Sequence, residues 1–484
     1  MYKIFGLILI VGLYACKNQQ SLLKNPVSVP KQLGYGAEKT QIDSLNPLSQ
    51  SSIPWRNFFN DAALQKLIEE ALNNNFDVQI AYQQLLNSQA GVLMMKGARL
   101  PNLDIGVGAS ARKFGAYTID GVGNYDTQFS TNLNDKQRIP DPVVPNFNLS
   151  LMTSWEVDVW GKILQRKNAA QQRFLASEQG VNLIKTILVA ELAESYYSLL
   201  VLDSELKMLK ENIELQENAL RIVVAQKESG KSNELAYQMS MAQVLNTKSI
   251  AKSIDQLIIQ QEAKINQLLG RFPQAVERSK LDLNKNNYLV DVNVNSFQGV
   301  QWVENRPDVR MALHSLAATN GDLNAARLAF YPSFGIAGSF GFESFRASSF
   351  MNPASLAFSA LSGLTMPLLN RRELKSQLLS SKAGQKSAYL IYEKTINQAF
   401  NELTALQMQQ TRLDDLRQLK TDQVAALNSA ISTSKDLFAT GRAEYLEIIT
   451  AQENFLRAQM DLLDAVFFQL QNKVFFYKAL GGGW

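Results

Sequence analysis

Residues 98–112 read Ala98-Arg99-Leu100-Pro101-Asn102-Leu103-Asp104-Ile105-Gly106-Val107-Gly108-Ala109-Ser110-Ala111-Arg112, and 231 residues further on Ala329-Phe330-Tyr331-Pro332-Ser333-Phe334 sets a proline at the matching place. After each proline the apolar residues take every second position: Leu103, Ile105, Val107, Ala109 and Ala111 in the first stretch, Phe334, Ile336, Phe340 and Phe342 in the second. A period of two over about ten residues describes a strand with one apolar and one polar or small face, as in the wall of a transmembrane barrel. Each stretch is followed by another of the same kind. Phe147, Leu149, Leu151, Trp155, Val157 and Val159 alternate with Asn146, Asn148, Ser150, Ser154, Glu156 and Asp158, and in the second copy Leu356, Phe358, Ala360, Leu364, Met366 and Leu368 keep the same beat. A half-buried soluble sheet would alternate too; the aromatic load and the character of the N-terminus weigh toward the membrane.

Working outward from these hairpins, the chain is written twice. Asp77-Val78 after Asn74-Asn75-Phe76 and Asp308-Val309 after Asn305-Arg306-Pro307 keep the offset of 231, whereas Gly230 with Gly441, and Leu269-Gly270 with Leu480-Gly481, are 211 apart. The first copy therefore carries about 20 extra residues, assigned to the proline-rich stretch 114–145. The first repeat covers 61–270 with its β-hairpin at 101–160, a connector follows at 271–305, and the second repeat covers 306–484 with its hairpin at 332–368. In each the order is helix, hairpin, long helix, glycine turn, helix. Prolines are missing from 146–272 and 368–484, which suits long helices because an interior proline removes a donor and clashes with the preceding turn. Residues 161–228 make a helix of ~100 Å at 1.5 Å per residue, flanked by shorter helices at 61–100 and 233–270. In the second copy 371–434 is the long helix, with 308–330 and 442–480 as the short ones. Leu199, Leu202, Leu206, Leu209, Ile213 and Leu220 form a coiled-coil-like stripe. Gly230 and Gly441 fit the left-handed cap at which a helix ends and the chain reverses. The fold class is mainly α with a membrane β-barrel, four strands and long helices per protomer.

Lys3 precedes an apolar run at 4–14, too short for a bilayer span of about 20 residues and shaped as a signal peptide over residues 1–15. Leu13-Tyr14-Ala15-Cys16-Lys17 resembles a bacterial lipoprotein cleavage box, so the lone Cys of the chain, Cys16, is the expected lipid attachment site and 16–60 a polar tether. With no later run of 18 apolar residues, any membrane-spanning part has to be a closed barrel.

Composition removes other classes. One Cys and one His among 484 residues cannot supply the three or four soft ligands of a zinc or iron–sulfur site. The formal charge of +4 gives no footprint for nucleic acid. Gly230-Lys231-Ser232 lacks the glycine five residues earlier that a phosphate loop requires, since Ala225 stands there. Gly106-Val107-Gly108 reads as small residues on a strand. His314 has no second ligand and reads as a packing or surface residue, and Glu69-Glu70 implies nothing without a pocket. No enzyme and no cofactor are expected.

Four strands cannot close a barrel, because the smallest bacterial ones have eight, and an open edge is not tolerated in lipid. Oligomerisation follows, and of the small oligomers a trimer with twelve strands leaves room for a lumen. Trp55-Arg56-Asn57-Phe58-Phe59-Asn60-Asp61, the segment from Ala98 to Leu103, Asn305-Arg306-Pro307-Asp308-Val309 and Gly441-Arg442-Ala443-Glu444-Tyr445-Leu446 resemble the outer-membrane efflux proteins of the TolC family, in its lipoprotein branch, over about residues 55–481. The resemblance implies a homotrimer in the outer membrane of a Gram-negative bacterium, with a 12-stranded β-barrel and an α-helical barrel projecting into the periplasm. It implies as partners a periplasmic adaptor (membrane fusion) protein and an inner-membrane pump of the RND type. The turns near Gly230 and Gly441, residues 227–234 and 438–445, become the periplasmic tips. The family often places acidic residues six and nine positions beyond the second tip glycine to ring the constriction; here Glu447 keeps the carboxylate and Thr450 departs from it. The competing readings are a lipid-anchored periplasmic adaptor and a structural coiled-coil lipoprotein without a pore.

Overall fold

A computed structural model of the protein describes residues 54–230, 232–281, 301–369 and 371–483. The signal segment, Cys16 and the tether as far as residue 53 lie outside the described residues, as does most of the connector. In chain order the elements are α1 Trp55–Phe58, α2 Ala62–Asn74, α3 Phe76–Gly97, β1 Asn102–Arg112, α4 Ile119–Thr127, β2 Val144–Val157, α5 Lys162–Glu228, α6 Glu234–Leu268, α7 Gln301–Asn305, α8 Pro307–Leu328, β3 Ser333–Ser344, β4 Leu356–Thr365, α9 Arg371–Ala439 and α10 Tyr445–Ala479. They form two compact units, one made of Asn87–Phe174 and His314–Tyr389, the other of the described residues to Leu86, Leu175–Leu313 and those from Leu390 on. Each unit draws on both repeats, so compactness and the internal duplication divide the chain differently.

The first unit is built on one antiparallel sheet in the order β1-β2-β3-β4. The 113–143 connection of the first hairpin carries α4, whose N-cap Thr118 accepts from Gly121 N–H at 3.1 Å, and two 3-10 turns, Ala347–Ser349 and Pro353–Ser355, join β3 to β4. Two strands stop sooner than their alternation does. β2 ends at Val157, where Asp158 turns its carboxylate to the backbone N–H groups of Ile163 and Leu164 and opens α5 instead. β4 ends at Thr365, leaving Met366 and Leu368 beyond it on either side of Pro367, whose nitrogen has no hydrogen to offer a ladder.

The second unit is helical. The long helices α5 and α9 run for 67 and 69 residues. The expected single helix over 61–100 is two helices, because Asn75 stands extended between them with ψ 131°. Its Oδ1 accepts from Asp77 and Val78 N–H at 2.9 and 3.1 Å, so a polar side chain ends one helix and starts the next. The main core joins Phe58, Phe59, Leu64 and Ile68 to Tyr196, Tyr197, Leu199 and Leu200 of α5, to Ile254 and Ile258 of α6 and to Val466, Val474 and Tyr477 of α10. Phe58 and Phe59 stack on Tyr477 at centroid distances of 5.1 and 5.3 Å, and Asp61, capping α2, also accepts from Tyr196 Oη at 2.9 Å and Ser279 Oγ at 3.0 Å. A smaller core gathers Val303, Val309, Ile396, Leu403 and Phe476.

A two-faced sheet and two glycine tips

The strand register turns four separate alternations into two continuous faces. Ile105 stands opposite Leu151, Leu151 opposite Phe340 and Phe340 opposite Phe358, so these four lie in one row across the sheet. Directly opposed residues point to the same side. The same face carries Leu103, Val107, Phe147, Leu149, Trp155, Val157, Phe334, Phe342, Leu356 and Leu364, with Thr153, Ser344 and Ser362 its polar exceptions. Much of it is open: Ile105 is 71% exposed and Phe358 80%. Uncovered apolar area of this extent needs an apolar surround.

The opposite face is mostly polar or small, with Val144, Met152 and Leu361 as its larger apolar residues, and it is hydrogen-bonded across strands. Asn102 Oδ1 accepts from Ser154 N–H and Oγ at 2.6 and 2.8 Å, Asn146 Nδ2 donates to Glu343 at 3.0 Å, and the Ser339–Ser359 and Ser333–Thr365 hydroxyls meet at 2.8 and 2.9 Å. A cavity of about 850 Å³ lies on this side, lined by Met94 of α3, by Leu100 just beyond that helix, and by Asn102, Ser154, Glu156, Ser333, Leu361 and Thr365. Where strands give way to helices, Trp155 Nε1 donates to Arg99 O at 3.1 Å, Trp160 Nε1 to Pro332 O at 2.7 Å, and Trp160 stacks on Tyr331 at 5.3 Å. Amphipathic aromatics of this kind belong to a membrane–water boundary. β1 and β4 are the two edges, and all ten residues of β4 are exposed.

At the ends of the long helices Gly230 and Gly441 have φ of 71° and 69°. That left-handed backbone is one that a Cβ disfavours. Beyond α9, Gly441 N–H donates to Phe438 O at 3.0 Å and Arg442 N–H to Leu437 O at 2.8 Å, a Schellman closure. The two turns are chemically unlike. Lys227 and Glu234 form an ion pair across the first, with the ammonium 4.8 Å from the Tyr237 ring. The residues 211 further on, Phe438 and Tyr445, are an edge-to-face aromatic pair at 5.6 Å across the second. Burial raises the Tyr445 hydroxyl pKa, opposed by its hydrogen bond to Ser240 of α6. A cavity of about 380 Å³ separates the tips, lined by Asn233, Leu235, Ala236 and Met239 on one side and Phe438, Glu444, Tyr445 and Leu446 on the other.

A matching contact closes each repeat on itself. Asn75 Nδ2 donates to Leu268 O at 2.9 Å, and Arg306 Nη1 donates to Ala479 O at 2.6 Å. Asn75 and Arg306 are 231 apart, Leu268 and Ala479 are 211 apart, and each donor holds a final carbonyl of the last helix of its repeat. Arg306 is 7% exposed and is neutralised by Asp308 and Glu402, both at 2.9 Å.

The model of the family described as "Outer membrane efflux protein" matches residues 67–271 and again 300–482, once per repeat. The chain belongs to that family. This efflux protein is 24% identical over 461 residues to the probable outer membrane lipoprotein SilC of Salmonella typhimurium, covering 95% of this chain and 94% of the relative. It is 27% identical over 433 residues to the cation efflux system protein CusC of Escherichia coli K12, covering 89% and 88%. It shares the fold of the CmeC outer membrane channel of Campylobacter jejuni, with a TM-score of 0.79 at 20% identity over 93% and 94% of the two chains. The efflux protein is an outer-membrane channel, and its family is one of channels rather than enzymes. The adaptor and pore-less lipoprotein readings find no support in this family or among these relatives.

Of the residues singled out from sequence, Gly230 and Gly441 stand at the helix reversals. Glu447 and Thr450 are both exposed on the face of α10 opposite Ile448 and Ile449. Glu447 turns back on its own helix, accepting from Glu444 N–H at 3.4 Å as part of a capping box, and Thr450 Oγ1 donates to Leu446 O at 2.9 Å. Cys16 lies outside the described residues. His314 meets Gln172 at 2.8 Å, and Glu69 and Glu70 pair with Arg56 and Arg271. The offsets 231 and 211 align Asn75 with Arg306 and the turn 227–234 with 438–445, but the contacts these residues and Asp61 make carry no signal in the sequence.

Proposed function

We propose that three copies of this efflux protein assemble by pairing β4 of one protomer with β1 of the next, closing a 12-stranded barrel whose apolar face meets lipid and whose polar face lines the lumen. The observation that carries this is the fully exposed edge β4 on a sheet with one continuous apolar face. β1 has 11 residues, about the number a tilted strand needs to cross the hydrocarbon core. Solutes then pass down the lumen without covalent chemistry, driven by a pump in the inner membrane, which we assign to the RND type, through a periplasmic adaptor protein that meets the two tips. Cys16 carries the lipid anchor, a reading supported by the lipoprotein relative.

Glu447, repeated threefold, forms an anionic ring at the tip constriction that favours cations. Its capping bond leaves the second carboxylate oxygen for that role, while Thr450 supplies no second ring. Heat-modifiable trimers and single-channel steps in planar bilayers test the assembly; a monomer that gives no steps refutes it. Glu447→Ala is expected to raise closed-state conductance and weaken divalent-cation block, and unchanged traces remove Glu447 from the gate. Cys16→Ser is expected to abolish acyl labelling, and persistent labelling refutes the anchor.

A further inference from the structure

We propose that a cavity between α5, α8 and α9 binds an oxyanion, a phosphate or carboxylate group, held by the Arg166 guanidinium and by the side chains of Gln377, Ser380 and Ser381.

The cavity measures about 290 Å³ and lies within the first unit, with Arg166 of α5, Thr319 and Asp322 of α8, and Gln377, Ser380 and Ser381 of α9 on its wall. On α9 the spacing is three and four residues, so the amide and both hydroxyls stand on one face of that helix. Ala325, Ala326 and Gly384 complete the lining, and their short side chains leave the space open. Among the described residues Arg166, Gln377, Ser380 and Ser381 have no hydrogen bond or ion pair, so a charged fork, an amide and two hydroxyls face one small space with nothing in the chain to receive them. The other two polar groups are already engaged. Thr319 Oγ1 donates to Leu316 O at 2.8 Å, and Asp322 is ion-paired with Arg173, which cancels the negative charge on the wall. A guanidinium grips carboxylate and phosphate alike through two parallel bonds, and hydroxyls and an amide can donate to the remaining oxygens.

The surrounding charge has the matching sign. Residues 162–174, 314–328 and 371–386 carry ten Lys or Arg against two carboxylates, Asp322 and Glu373, in a chain whose totals are 48 and 44. Lys162 is paired with Glu156 and Arg173 with Asp322, but Lys167, Arg371, Arg372, Lys375 and Lys382 have no ion pair among the described residues. A cluster of one sign around a concave site raises the local concentration of the opposite ion. All three helices meet the sheet here: α5 begins five residues after β2, α8 ends five before β3 and α9 begins six after β4. A phospholipid headgroup and a free phosphate therefore present the same group to the site. The cavity belongs to one protomer and does not rest on how the barrel closes.

The test is calorimetric titration of the full chain in uncharged detergent, once with inorganic phosphate and once with dihexanoylphosphatidylglycerol below its micelle concentration. Saturable binding of at least one probe is expected, and the one that binds tells a soluble anion from a lipid headgroup. Arg166→Gln is expected to weaken it about tenfold or more, and Ser380→Ala with Ser381→Ala about fivefold. Arg166→Lys, which keeps the charge but loses the fork, should fall between wild type and Arg166→Gln. Arg371→Gln, a charge removed from outside the lining, should change affinity less than about twofold. The bound probe should also raise the thermal midpoint of wild type and leave that of Arg166→Gln unmoved. Absence of saturable binding with both probes overturns the proposal, as does an Arg166→Gln chain that binds as wild type does. An equal loss in Arg371→Gln and Arg166→Gln overturns it in favour of a diffuse basic surface. Because binding is read without any current, a chain that fails to conduct refutes the channel assembly and not this site.

Discussion

Placing an arginine on one side of the sheet or the other separates a lipid-facing wall from every alternative. Leu151 sits mid-strand in the row Ile105, Leu151, Phe340, Phe358, and Ser150, one residue earlier, stands opposite Gly106 and Gly341 on the polar face. An arginine at the bilayer midplane of a barrel strand costs about 2–4 kcal/mol, whereas lumen substitutions act mainly on selectivity. A trimer repeats the change three times, so Leu151→Arg is expected to cost about 6–12 kcal/mol per assembly, comparable with the whole stability of an ordinary domain. The assay is the fraction of unheated outer-membrane protein migrating as trimer. Leu151→Arg is expected to lose most of it and Ser150→Arg to keep it. Equal effects would mean that neither face touches hydrocarbon, and the reverse order would turn the sheet inside out; either refutes the reasoning.

The other expectations follow from single contacts. Arg306→Met strips a buried pair from Glu402 and Asp308 and leaves Ala479 O unpaired, at about 3–5 kcal/mol, while Asn75→Ala, which loses a cap and one further hydrogen bond, costs about 1–2 kcal/mol; equal shifts in thermal midpoint would contradict this difference. Because burial raises the Glu205 carboxyl pKa in the folded state, its contribution is complete below the ordinary carboxylate value of 4.5 and is lost as pH rises through about 7, up to about 3 kcal/mol per protomer; Glu205→Gln should flatten that fall in denaturation profiles. At the tips, Lys227→Ala should have an effect that vanishes at high salt, whereas Phe438→Ala should cost about 0.5–1.5 kcal/mol independently of salt, as read by local exchange. A Cβ at Gly341 would overlap the Leu149 carbonyl oxygen, so Gly341→Val should part β2 from β3 and abolish the trimer band.

Short-range pattern was enough for much of the architecture. A period of two marks a strand and a long proline-free run marks a helix wherever the segment lies in space, so the four strands, α5, α6, α9 and α10 were legible as a series. The internal offset then fixed which segments correspond, and Gly230 and Gly441 could be set at the reversals because the left-handed cap is a local demand of the backbone. The break at Asn75 was less legible, since the asparagine that ends α2 does so by bonding to the residues after it and to a carbonyl 193 positions away.

The sequence by itself determined the elements, their duplication and the impossibility of closing four strands in lipid, because each follows from backbone geometry and side-chain period. Tertiary structure decided the rest. Only register lines Ile105 up with Leu151, Phe340 and Phe358, turning four alternations into one apolar face. Only packing brings Arg306 to the last carbonyls of α10, because that contact joins residues 173 positions apart whose meeting no local pattern encodes.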